Sequence, residues 1–258
     1  MRLLLNQLLP IASLLGILAS CATPPPASEP EALAEYRETN DPLEPTNRVF
    51  YAINNKLDTL VLRPVASGYQ KVVPGPVRNG VHNFLVNLTT PVRLANDMLQ
   101  GKPRRAGDTT MRFLINTMVG VVGIFDVAKD WGYPAHETDA GITLALWGIP
   151  SGPFLLLPLL RPSSPRDAAG YGADLAFGPA TGFGQGAAVT ALRWSRNTMS
   201  AVDERQRHLQ DVDNIKKTAL DPYATFRSLY RQHRDSQIRQ TAEDNRATVP
   251  VWFAQPPH

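Results

Sequence analysis

Apolar side chains recur through the middle of the chain at helical rather than strand spacing. Phe50, Ile53, Leu57, Leu60 and Val61 fall on one face of a helix. Asp41 stands where it would cap that helix, with Pro42 in the first turn and Glu44 three residues after the cap, and Arg63-Pro64 is expected to stop it. Pro74-Gly75-Pro76 then makes a turn before a second helix, in which Val77, Val81, Phe84, Leu85 and Leu88 share a face and Pro91 ends or kinks the run. Met111, Leu114, Ile115, Met118, Val122 and Phe125 repeat the pattern in a third. Strand-like alternation is scarce, so the sequence predicts an all-α fold.

Two stretches carry something more than helix packing. Residues 140–160 hold no charge, and their only side-chain hydroxyls are Thr143 and Ser151, which matches a membrane-spanning helix in length and polarity. Pro150, Pro153 and Pro158, with Gly141, Gly148 and Gly152, argue against a regular spanning helix. In hydrocarbon, a broken backbone survives only where neighbouring protein satisfies its freed polar groups or where it lines a water-filled cavity. Trp147 to Pro158 is therefore expected to form a bent, re-entrant apolar hairpin at membrane depth inside a helical ring. A buried core hairpin of a soluble domain is the other reading. The second stretch is the series Asn79, Asn83 and Asn87, whose spacing of four puts the amides on one stripe, turned from the apolar face. It could line a polar passage, or its amides could bond to neighbouring helices or face solvent; Val86 on the same side weakens the pattern.

The ends of the chain add an address. Arg2 precedes an apolar run from Leu8 to Leu18, too short to span a bilayer comfortably, and Leu18-Ala19-Ser20-Cys21 follows. That is a lipobox: a signal peptide over residues 1–20, with lipid expected on Cys21, the chain's one cysteine. A single cysteine also excludes an internal disulfide. Residues 21–39, rich in Pro, Ala and Glu, read as a lipidated flexible tether, residues 40–234 as one helical domain, and residues 235–258 as a disordered or loosely docked tail. The 23 prolines predict interrupted, kinked helices. A formal charge of +3 over 258 residues is too small for a nucleic-acid footprint and is compatible with an anionic membrane surface.

Catalytic signatures are missing. The five histidines are scattered, with no HExxH, no GxSxG elbow is present, and the run from Gly178 to Gly186 lacks the Lys-Ser/Thr ending of a phosphate loop. The chain is expected to be no enzyme and to need no cofactor or metal.

At NDPLEPTNR, Asn40 to Arg48, the sequence resembles the MlaA (VacJ) family, and further pieces follow in order: LRPVASGY, NLTTPVRLANDMLQG, RFLINTMVGVVGIFDVA, GITLALWGIPSGPFLLLP, PSSPRDAAG and DPYATFRSLYRQ. The resemblance covers Asn40 to Arg234. It implies a ring-shaped, all-α lipoprotein in the periplasmic leaflet of the outer membrane, with a passive amphipathic channel. Such a protein takes mislocalised phospholipids from the outer leaflet, passes them to a periplasmic carrier of the MlaC type, and associates with a trimeric porin. On that reading Trp147, Gly148, Ile149, Gly152, Phe154 and Leu156 form the channel hairpin, while Asn79, Asn83, Asn87 and Arg161 are polar lining. Arg161, where the family usually has glycine, could meet a phosphate, although marking the chain's return to water is preferred; Thr46 stands where the family commonly has an aromatic residue. The alternatives are a porin- or envelope-scaffolding lipoprotein without transport, and a phospholipase.

Overall fold

A computed structural model describes residues 25–26, 28–39, 41–158, 161–178 and 186–243. Helix dominates them. In chain order they are α1 (Pro30–Thr39), α2 (Glu44–Leu57), a π-helical turn (Asp58–Leu62), α3 (Arg63–Val72), α4 (Gly75–Leu99), α5 (Pro103–Met118), α6 (Val127–Asp130), α7 (Ala140–Leu146), α8 (Pro165–Phe177), α9 (Ala187–Arg207), α10 (Leu209–Thr218) and α11 (Pro222–Glu243). Between α7 and α8, the two-residue strands β1 (Leu155–Leu156) and β2 (Pro162–Ser163) pair antiparallel, with Leu155 opposite Ser163 and Leu156 opposite Pro162. The all-α expectation holds. No helix among the described residues is long and apolar enough to cross a membrane.

The main packings are α4 on α5, α7 on α8 and α3 on α9, with α11 lying against α7 and β2. Gly170 and Gly141 allow the α7–α8 crossing, since a Cβ at Gly170 would stand 2.3 Å from the Gly141 amide nitrogen. One apolar cluster joins Phe154, Leu156 and Tyr223, with Phe50, Tyr51 and Tyr230 against it. Much of the remaining interior is polar: Asn47, Asp97, Ser164 and Thr241 are all fully buried. Buried polar groups are tolerable only when bonded, so this fold depends on side-chain networks as much as on apolar area.

Several boundaries differ from those expected. Asp41 does not cap α2, whose cap position is Leu43 with no side-chain bond; its carboxylate turns inward instead. Arg63-Pro64 does not stop the helix. The chain continues through the π turn into α3, where Pro64 sits in the first turn and its missing amide costs least. Helix α4 likewise runs through Pro91 to Leu99, packed against α5.

The third helix stops early. It ends at Met118, and the chain leaves it in a tight loop with left-handed Val121 (φ 54°), Val122 (φ 57°) and Gly123 (φ 92°). A Cβ at Gly120 would lie 2.2 Å from the Phe125 carbonyl oxygen, so glycine is what allows the fold-back.

The outer limits also move. Residues 30–39, expected as extended tether, form α1, and Arg231 of α11 donates to the Thr39 carbonyl. Residues 235–243, expected in the loose tail, complete α11, where Thr241 is buried and Lys102 Nζ donates to the Ala242 carbonyl at 2.8 Å. The signal peptide, Cys21 and residues 244–258 lie outside the described residues.

Candidate functional site

The uncharged stretch begins as α7, whose N-cap Asp139 accepts from the Ile142 amide at 2.9 Å. The helix ends at Trp147, and Gly148 (φ 86°) and Gly152 (φ 76°) supply left-handed turns that a residue with a side chain would resist. A Cβ at Gly152 would also press on Pro165 at 3.2 Å. The chain then enters the β1–β2 hairpin. Its exposed part carries Trp147 and Ile149, whereas Phe154 and Leu156 are buried. The Phe154 ring meets Tyr223 and Tyr230 edge-on, with centroids 6.1 and 5.9 Å apart.

Two amides of α2, seven residues apart, hold this broken backbone. Asn47, 0% exposed, donates to the Phe154 carbonyl at 3.1 Å and to Asp41 at 2.8 Å, and its oxygen accepts from the Leu156 amide at 2.9 Å. Asn54 donates to the Leu157 carbonyl at 2.9 Å. Asp41 in turn accepts from the Tyr223 hydroxyl and from Arg227 at 2.8 Å. The Asp41 to Arg48 motif is therefore a clamp tying the hairpin root to α2 and α11. Burial and the neighbouring Asp41 carboxylate raise the Tyr223 hydroxyl well above its ordinary range, so it remains a donor.

A second network fixes α7, α8 and α11 beneath the hairpin. The Arg234 guanidinium donates to both oxygens of Asp139 at 2.7 Å and to both of Asp167 at 3.0 and 3.1 Å. Tyr230 and Arg166 also donate to Asp167, at 2.5 and 3.0 Å. Burial alone would raise both carboxyls, but Arg234, with the Tyr230 hydroxyl at Asp167, holds them below the usual carboxylate range. Groups depressed in this way stabilise the fold fully above their unfolded pKa of about 4 and lose that contribution as pH falls through the folded values. Melting temperature is thus expected to be level from about pH 7 to 5 and to drop steeply below about 4. Asp174, which burial raises, acts in the opposite sense. An Arg234→Gln protein measured across the same range separates the two: a drop as steep as in the unaltered protein would contradict the assignment.

The asparagine series lies on α4. Asn79 is exposed and accepts from Arg207 at 3.5 Å. Asn83 donates to the Ile124 carbonyl at 3.1 Å, and Asn87 donates to Thr117 Oγ1 at 3.0 Å and to the Val122 carbonyl at 3.4 Å. Asn83 and Asn87 thus hold the loop after α5 while also lining a polar cavity between α4 and α5, so both readings of the stripe describe part of it. That cavity measures about 30 Å³. This is room for about two water molecules and not for a lipid.

The loop over this stripe was missed by helical periodicity. Met118, Val119, Val121, Val122, Ile124 and Phe125 are all exposed, Met118 to 80% and Phe125 to 61%. The flanking glycines in VGVVG were its available signal, since glycines bracketing β-branched residues mark a turn more readily than a helix. The hairpin and the C-terminal end of α4 meet through α7: Trp147 Nε1 donates to the Leu99 carbonyl at 3.1 Å, and Thr143 Oγ1 to Asn96 at 2.7 Å. Arg161 stands apart, exposed beside β2.

Comparison with known proteins gives a consistent match. A family model described as MlaA lipoprotein matches residues 39–237. The intermembrane phospholipid transport system lipoprotein MlaA of Escherichia coli K12 is 34% identical over 204 residues, spanning 76% of this chain and 77% of the relative. Its Haemophilus influenzae namesake is 32% identical over 207 residues, spanning 79% and 81%. A solved structure described as the structural basis for maintenance of bacterial outer membrane lipid asymmetry superposes with a TM-score of 0.67 at 33% identity, covering 77% of this chain and 98% of that one.

Proposed function

Because this chain belongs to the MlaA lipoprotein family, we propose that it is an outer-membrane lipoprotein that removes mislocalised phospholipids from the outer leaflet and maintains lipid asymmetry. In this reading it is anchored by lipid on Cys21, sits in the periplasmic leaflet beside a trimeric porin, offers lipid a passive amphipathic channel, and hands it to a soluble carrier of the MlaC type. The observation that carries the proposal is the run of exposed apolar side chains from Met118 to Phe125 beside a polar stripe. Such a run is a liability in water and an asset at a bilayer surface.

The task is to move an amphiphile without leaving its tails in water or its headgroup in hydrocarbon. The 118–125 loop with Trp147 and Ile149 supplies apolar surface for acyl chains. Asn79, Asn83 and Asn87 supply a polar side, and Gly148 and Gly152 supply the turns of the hairpin. Phe154 and Leu156 serve as the hairpin's fixed root, and Arg161 marks the chain's return to water.

Reconstitution tests this. Vesicles carrying the protein and a fluorescent phospholipid are expected to deliver lipid to added carrier. Phe125→Asp is expected to slow delivery about tenfold or more, since an apolar contact of about 1.5–3 kcal/mol is replaced by a charge, while melting temperature stays unchanged. Transfer by Phe125→Asp at the unaltered rate would exclude the loop. No transfer by the unaltered protein would favour a scaffold.

A further inference from the structure

The polar stripe of α4 does not end at Asn87. Thr90 and Arg93 continue it along the same side, as residues three and four apart do on a helix, and both reach the α4–α5 cavity. Arg112 and Asn116 of α5 face them across it. The carboxylates at this place are already engaged. Asp126 accepts from Arg112 and Asn116 at 2.8 Å each, and Asp97 accepts from Thr109 at 2.6 Å and faces His136 at 2.9 Å.

Among the described residues Arg93 has no such partner. Its one hydrogen bond among the described residues runs from Nη1 to the His136 carbonyl at 3.4 Å, and it forms no ion pair. Burial pushes its guanidinium pKa down, and the Glu137 and Asp97 carboxylates offset this only from a distance, with Arg112 opposing them. A desolvated cation without a counter-charge is costly, and an incoming anion removes that cost.

We infer that Arg93 binds a phosphate-type oxyanion at the mouth of the α4–α5 cavity, with Asn83 and Thr90 beside it, and that the natural ligand is the phosphate of the transported lipid. This rests on the phospholipid reading above and assigns the headgroup a place within it. The cavity, about 30 Å³, takes phosphate oxygens and not a whole headgroup. The acyl chains stay outside, against the 118–125 loop, whose Val122 and Ile124 carbonyls are bonded to the same stripe.

The test titrates the purified full-length protein, in nonionic detergent, with three probes followed by calorimetry: a short-chain phosphatidylglycerol, a diacylglycerol of equal chain length, and inorganic phosphate. The unaltered protein is expected to prefer the phosphatidylglycerol by about tenfold or more, as one charge-assisted contact provides. Arg93→Gln is expected to erase that preference without lowering melting temperature, and Arg93→Lys to keep most of it. Equal binding of phosphatidylglycerol by Arg93→Gln and the unaltered protein would overturn the assignment while leaving lipid binding intact. Failure to bind either lipid would sink the transport reading with it. Arg93-dependent binding of inorganic phosphate alone would refute the headgroup as ligand.

Discussion

Replacing Asn47 with alanine is expected to destabilise the protein by about 3 kcal/mol or more, because it strands buried partners as well as removing bonds. The Phe154 carbonyl loses an amide donor at 3.1 Å and the Leu156 amide loses an acceptor at 2.9 Å. The side chain that joins them is fully buried. Each buried group left unbonded costs about 1–3 kcal/mol. Asn47→Asp is expected to be no better, since a carboxylate cannot donate to the Phe154 carbonyl and would stand against Asp41. Thermal or urea denaturation checks both variants, and a loss below about 1 kcal/mol for Asn47→Ala would show that the hairpin does not depend on the clamp.

The second large effect belongs to Arg234. Its guanidinium answers the buried Asp167 and the half-buried Asp139 at once, so Arg234→Gln leaves Asp139 without a counter-charge beside Asp167, which keeps only Arg166. Removing one side of a buried pair costs about 3–5 kcal/mol. Adding Asp139→Asn to the same protein is expected to recover part of that loss, because the repulsion between the two acids then disappears. A double variant no more stable than Arg234→Gln would show that the network acts through packing alone. The geometry bears on function as well, since α7, α8 and α11 converge at this arginine and the hairpin rises from the end of α7.

What the sequence made legible was whatever depends on local pattern. Helical periodicity led to an all-α fold, and the prolines and glycines of residues 147–158 led to a broken hairpin. The condition placed on that hairpin, that neighbouring protein must satisfy its backbone, names what Asn47 and Asn54 do. Their identity was hidden because the contact spans 107 residues of chain between Asn47 and Phe154. Asp41 illustrates the same limit from the other side. Its position before a helix suggested a cap, and a long-range demand from Tyr223 and Arg227 prevailed over the local one.

Periodicity misled where apolar residues serve a surface. Val122 and Phe125 matched a helical face, yet they belong to an exposed loop whose left-handed valines depend on Gly120 and on the amides of α4. Arg93 was invisible for another reason. One arginine among the polar residues of an amphipathic helix carries no pattern, and only the surrounding pairs reveal that it has no ion pair among the described residues.

The most direct measurement compares outer-leaflet phospholipid in cells that have the protein and cells that lack it, by labelling whole cells with a reagent that cannot cross the membrane. Loss of the protein is predicted to raise surface phospholipid, with the unaltered gene restoring asymmetry and the Phe125→Asp gene restoring it only in part. Surface phospholipid that stays the same with and without the protein would contradict the account.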